Sequence, residues 1–328
     1  MRVLFFCALL AAIALPVGAV DANTVEIVYS DNTATVTVAS NISDYVMVVS
    51  GTSSHVIIIQ SADFAGIDAT DKNEDGEIIY TLSGTSDDGE FYLNGAYKCT
   101  VELNGLTLTN PQGPAINIQN GKRIEVSVKR NTTNTLTDGA NDSYNGCYHC
   151  KGHTKLKGNG TLNITGNAKH ALYSKEYLEI KNLTLNITAA QKDGIHCREY
   201  MLIESGTINI SGVADDAIQV ELDGTTSTGT TTGHTDEDSG NFYMTGGRLT
   251  IDDHGGFAIK ADGSIVLTGG TRNFDLSACL ANATGIDDVK NNAPYAHHRT
   301  HDLLGRPLST LPTSNHHIHI INGKKVVR

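Results

Sequence analysis

The chain has 328 residues, a formal net charge of −12, 33 glycines, no tryptophan and only 18% charged residues. An acidic chain is repelled by nucleic-acid phosphates and by anionic lipid, so neither is expected as its main partner. Abundant glycine with few charges suits many tight turns between narrow apolar walls, in a single elongated domain.

The N-terminus reads as a secretory signal over residues 1–19. Met1-Arg2 is a short basic start, Val3 to Leu15 is almost wholly apolar, and Val17-Gly18-Ala19 is a small-residue cleavage site. That apolar stretch is short for a membrane span and no other long apolar run follows. An exported protein, at the cell surface or outside it, is the expectation. Residues 20–77 read as a β-rich cap with the first strands. Near its end, Asp71, Asn73 and Asp75 followed by Gly76 match the first half of an EF-hand calcium loop. An acidic turn between strands accounts for the same residues, because Leu82 stands where the loop needs its last glutamate.

The segment 78–274 is predicted to be a stack of coils. Its first rungs, Val101 to Leu103, Leu106 to Leu108, Ala115 to Ile118 and Ile124 to Val126, are irregular, and a coil around Cys147 to Cys150 fits with a one-residue slip. A fixed period then sets in. Leu162-Asn163-Ile164-Thr165, Leu185-Asn186-Ile187-Thr188 and Ile208-Asn209-Ile210-Ser211 are 23 residues apart (185 − 162 and 208 − 185). His170-Ala171-Leu172, Asp193-Gly194-Ile195 and Asp216-Ala217-Ile218 keep the same step. A period of that length marks stacked units, and strict alternation of apolar residues marks strands. Three short strands per turn describe a right-handed, single-stranded parallel β-helix, an all-β solenoid with coils of about 23 residues. Leu249 follows Ile208 by 41 residues; 41 − 23 leaves 18, which the polar segment 223–240 supplies as a loop. Residues 275–295 read as a linker and 296–328 as a separate tail.

Five cysteines remain after the leader: Cys99, Cys147, Cys150, Cys197 and Cys279. The register puts Cys150, Ser174, Cys197 and Val220 in one inward column, with the two cysteines two coils apart, about 9–10 Å, too far for a disulfide. Buried thiols are the leading reading, with a Cys147–Cys150 bridge or a metal as alternatives.

Chemistry belongs on the outward columns. Asp193, Asp215 and Asp216 occupy equivalent turns of adjacent coils, and repulsion between them calls for a cation. Calcium is the natural one, since it takes carboxylate and carbonyl oxygens, with Asp252, Asp253 and Asp262 of the next coil as further ligands. A solvated turn closed by Asx hydrogen bonds is the alternative. On the strand that follows, Tyr173, His196 and Lys260 run beside Lys175 and Arg198. Such aromatic and cationic groups can stack on sugars and pair with uronic carboxylates.

The motifs Leu103 to Leu108, Gly113 to Ile116, Asn134 to Gly139, Ala171 to Lys175 with Leu178 to Ile180, and Lys192 to Ile195 resemble the exported carbohydrate-binding β-helix family of the pectate-binding type. The resemblance covers roughly Ile78 to Asn273. It implies calcium as cofactor and an acidic polysaccharide as partner. The tail, Asp302 to Arg306 and then Ile318 to Arg328, resembles the sorting domain of type IX secretion substrates, which would make that machinery a partner. In place of the usual Gly-Ile/Val-Tyr phrase it carries Asn315-His316-His317-Ile318-His319; with His297, His298 and His301 these histidines could bind a metal, the alternative being a strand in which His317 and His319 share one face.

Polygalacturonases, which share the β-helix, offer the enzyme alternative. Asp193, Asp215-Asp216 and His254 stand in their order, but the Asn-Thr pair, the first glycine of Gly-His-Gly and the Arg of Arg-x-Lys are missing. A lyase would need an exposed base, for which Arg198 is the candidate. Binding without turnover is therefore expected, with hydrolase or lyase activity, or a structural and adhesive role, as alternatives.

Overall fold

The computed structural model describes residues 20–50, 54–61, 77–139, 143–224, 237–282 and 286–288, with strand segments at 300–301, 307–308, 318–321 and 324–327. The signal segment 1–19 and the motif of Asp71, Asn73 and Asp75 lie outside the described residues, as does 225–236 within the expected loop. The chain divides into two units, Met1–Asp287 and Asp288–Arg328. Among the described residues no helix is long and apolar enough to cross a membrane.

The first unit is all-β, with short 3₁₀ turns only at Ser40–Ile42 and Leu276–Ala278 among its described residues. Its strands form three parallel ladders that the chain visits in rotation. One ladder runs through Glu90–Asn94, Ile116–Ile118, Gly146–Cys150, His170–Ser174, Ile195–Arg198, Ile218–Glu221 and Ile259–Ala261. The next comprises Ile124–Val128, Thr154–Gly158, Leu178–Lys181 and Tyr200–Ile203. The last comprises Thr133–Asp138, Thr161–Gly166, Thr184–Ala190 and Thr207–Ile210. Cys99–Asn110 and Asn241–Ile251 are long enough to serve the second ladder with their first half and the third with their second.

The pairing register explains why this sequence stacks. Leu162 pairs with Leu185, Leu185 with Ile208 and Ile208 with Leu249, so one side of the third ladder is a continuous apolar column. All four are at most 1% exposed, and each such burial contributes about 1.5–3 kcal/mol. Cys150, Ser174, Cys197 and Val220 form the corresponding column of the first ladder, with the one-residue slip between Gly146–Cys150 and His170–Ser174. The cysteines of the described residues are free thiols, four of them buried. Ser174 belongs in this apolar column because Gly152 O and Thr154 Oγ1, each 3.0 Å away, accept or share its hydroxyl proton.

Opposite the apolar column, the asparagines of the repeated phrase do structural work. Asn186 Nδ2 donates to Asn163 Oδ1 and Asn209 Nδ2 to Asn186 Oδ1, each at 2.8 Å. At the corner before the second ladder, His153, Tyr177 and Tyr200 stack in sequence, with ring centroids 4.2 and 4.9 Å apart.

Parallel pairing reaches beyond the expected 78–274. Thr24–Ser30 already pairs with Ile78–Ser86, His55–Gln60 with Glu90–Asn94, and Cys279–Ala281 with Ile259–Ala261. At the N-terminal end, Thr33–Val38 and Val46–Ser50 turn back antiparallel on these first strands. The second unit, taken by itself, is a small antiparallel sheet of Thr300–His301, Pro307–Leu308, Ile318–Ile321 and Lys324–Val327.

Candidate functional site

Two places on the stack gather polar side chains. The first is the turn entering His170–Ser174 and its counterparts in the next coils. Small residues line its inner side, with Cys147, Ala171, Ala217 and Ala258 fully buried. A Cβ on Gly256 would fall 2.4 Å from Asp216 Oδ1 and 2.9 Å from Asp215 Oδ1, so only glycine admits the carboxylates this close. Each coil then ties the next. His170 Nδ1 accepts the N–H of Asp193, Asp193 Oδ1 accepts that of Asp216, and Asp216 Oδ1 accepts that of Phe257, at 3.2, 3.2 and 2.7 Å. These bonds account for the acidic residues as turn-closing acceptors.

The remaining oxygens carry the electrostatics. Asp193 Oδ2 lies 2.9 Å from His196 Nδ1, and His196 Nε2 lies 3.4 Å from Glu221 Oε2. Burial alone would lower the His196 pKa, but these two carboxylates outweigh it and raise the value. His170, accepting a backbone proton, is lowered by burial despite Asp193 beside it. Burial would raise the Asp193 carboxyl, yet the two imidazoles hold it well below the carboxylate range. Asp216 Oδ2 is buried against the ammonium of Lys260, 3.1 Å away.

Oxygens of Asp193, Asp215 and Asp216 lie within 4.8 Å of one another. That donor set is chemically suited to calcium, which would have to displace the Lys260 ammonium from Asp216 Oδ2 to use that oxygen. Asp252, Asp253 and Asp262 are not brought to it in any cluster found among the described residues. Asp252 accepts from Asn273 Nδ2, and Asp262 accepts the N–H of Leu222 and Asn282 Nδ2, so both tie neighbouring coils together.

The column expected to face a sugar corrects that expectation at two positions. Tyr173 and His196 are only 6% and 8% exposed. Tyr173 is stacked between His149 and His196, with centroids 5.2 and 5.5 Å away, so both its faces are taken. Alternation does place them outward, but aromatic rings at equivalent positions of adjacent coils cover one another. Lys175, Arg198 and Lys260 keep partial exposure. Arg198 is held by Asp223 at 2.9 Å and Lys260 by Asp216.

The second place is a groove of about 510 Å³ on the outer face of the second ladder, lined among others by Glu125, Lys155, Lys157, Glu179, Lys181 and Glu204. Its charges are paired across coils: Lys155 with Glu179, Lys157 with Glu125 and Lys181 with Glu204, at 3.0, 2.7 and 2.6 Å. The lysines remain 36%, 46% and 54% exposed. Asn159 and Asn182 add amides. Sequence reasoning missed this face, although Lys155-Leu156-Lys157 and Glu179-Ile180-Lys181 carry the alternation that would have found it.

A family model described as "Carbohydrate-binding domain-containing protein" matches residues 67–300. No curated protein matches the chain in sequence. Among solved structures, a polysaccharide lyase-like protein from C. thermocellum, determined as a gadolinium derivative, is similar at a TM-score of 0.58 and 19% identity, covering 82% of this chain and 98% of that one.

Proposed function

This chain belongs to the carbohydrate-binding domain-containing family, and on that premise we propose that it is an exported, non-catalytic protein that holds an acidic polysaccharide on a calcium-stabilised, right-handed parallel β-helix. The observation that carries the binding reading is the groove over Thr154–Gly158 and Leu178–Lys181. It offers ammonium, carboxylate and amide groups to the hydroxyls and carboxylates of a glycan laid along it. Lys157 and Lys181 are register partners on adjacent coils, so a uronate chain meets a cation on each. Lys175 and Arg198 remain further cationic contacts on the neighbouring ladder.

Turnover is not part of the proposal. A glycosidase acid must hold a proton on one carboxyl. Here each groove glutamate is engaged in an ion pair with a lysine of an adjacent coil. Asp193 and Asp216 are occupied with backbone N–H groups and cations.

Calcium, when bound, would offset the charge of the acidic turn, held by Asp193, Asp215 and Asp216, with the Lys260 ammonium giving up its contact with Asp216.

The test is an affinity gel containing polygalacturonate, run against neutral glycans with and without chelator, beside assays for reducing ends and unsaturated uronates. Retardation on the acidic gel is expected, weakened by salt through screening. The pair Lys157→Ala and Lys181→Ala should lower affinity about tenfold, a little over 1 kcal/mol, at unchanged melting temperature. Equal retardation on all gels would overturn the acidic-glycan assignment, and release of new ends by the purified protein would replace binding with catalysis.

A further inference from the structure

Away from both places, three side chains converge at the corner between the first and second ladders. Glu176 and Glu199 are 23 residues apart (199 − 176) and occupy equivalent positions of adjacent coils, bracketed by the pairs Ser174 with Cys197 and Leu178 with Met201. His153 enters from the coil before. Its Nε2 lies 2.7 Å from Glu176 Oε2 and 3.3 Å from Glu199 Oε2. The three donor atoms lie within 4.8 Å of one another. We propose that His153 Nε2, Glu176 Oε2 and Glu199 Oε2 form a binding site for a first-row divalent transition metal of the zinc type.

Three physical points support the assignment. The first is charge: two carboxylates converge on one point, and a divalent ion matches their combined charge. The second is donor chemistry. One imidazole nitrogen with two carboxylate oxygens suits zinc, whereas calcium takes oxygens alone. At metal–ligand distances of about 2.0–2.2 Å, tetrahedral donors stand roughly 3.3–3.5 Å apart. The His153–Glu199 spacing already falls there, and the His153–Glu176 contact needs to open by well under 1 Å. The third is support around the ligands. The His153 ring packs on Tyr177, Tyr177 N–H donates to Glu199 Oε2 at 3.3 Å, and Tyr177 in turn stacks on Tyr200. Glu199 itself sits at φ +62°, a left-handed conformation uncommon for glutamate, which Ser239 and Gly240 hold by donating their N–H groups to its carbonyl. The three side chains are 25%, 21% and 15% exposed, so an ion can enter and keep an open position toward solvent.

This assignment does not depend on the glycan or calcium readings. The test uses the full chain, stripped with chelator and titrated with zinc ions by calorimetry in excess calcium. The histidines at 297, 298, 301, 316, 317 and 319 could also take zinc, so the readout is a difference between proteins. His153→Gln and Glu176→Gln should each bind one equivalent fewer than the parent, or bind that equivalent at least about tenfold more weakly. Parent-like stoichiometry and affinity in both variants would overturn the site. Displacement of that equivalent by calcium would overturn its assignment to a transition metal. If His153→Gln does not fold, Glu176→Gln and Glu199→Gln, which preserve side-chain shape, decide the question by the same criterion.

Discussion

Asp138 is nearly out of water at the end of Thr133–Asp138, where its Oδ1 accepts the N–H of Asn167. Burial pushes its carboxyl up to about 6, although backbone N–H groups of Asn167 and Ala168 pull the other way. A carboxyl whose folded value exceeds its unfolded one binds protons more tightly when folded. Its contribution is therefore most favourable below about pH 4 and declines as pH rises through about 6. Asp138→Asn keeps an acceptor and removes the ionisation. It should flatten the pH dependence of melting between those limits and gain on the order of 1 kcal/mol at neutral pH. A variant as pH-sensitive as the parent would show that Asp138 titrates normally. At the same scale, Tyr173 and His196 mark what alternation leaves unread. The pattern sorts side chains inward or outward, but whether an outward ring meets water depends on the rings one coil away. The pairing of Asp216 with Lys260 was equally illegible, because it depends on how the coil after residue 240 rejoins the stack.

Among the elements, the asparagines between the core residues of the third ladder illustrate a different lesson. The repeated phrase was legible as a strand, and its register is the register seen. The alternation of its apolar residues says nothing of what the asparagine between them does. The structure makes Asn186 the central rung of a ladder, donating to Asn163 and accepting from Asn209. Asn186→Ala removes both bonds and should cost about 1–2 kcal/mol, seen as a lower urea midpoint with an unchanged slope. Asn209→Ala breaks only one of these bonds and should cost about half as much. Equal effects would mean that the amides do not act as a ladder. The coils before residue 146 were harder to place, since they depart from 23 residues and merge two strands into Cys99–Asn110. The groove escaped notice for a related reason. Its lysines are spread over two coils and interleaved with glutamates, as in Glu125, Lys155 and Glu179, so the face emerges only once the coils are stacked.

For the molecule as a whole, the net charge of −12 sets the terms of binding. An acidic stack and an acidic glycan repel at long range, so on the proposed reading a divalent ion must offset that repulsion. Added calcium should raise the melting temperature by mass action, about 2.7 kcal/mol at a hundredfold excess over its dissociation constant. Asp216→Ala should remove most of that rise, whereas Asp252→Ala, which lies outside the cluster, should leave it. An unchanged melting curve on chelation would reduce the acidic turns to turns.

The groove runs across four coils, those carrying Glu125, Lys155, Glu179 and Glu204. At about 4.8 Å per strand this is roughly 14 Å, the reach of a short oligosaccharide. On the proposed reading, a polysaccharide of natural length overhangs it at both ends. The same strand can then carry many copies of the protein side by side, so that retention on a glycan network depends on how many grooves one chain threads as well as on the affinity of any one of them.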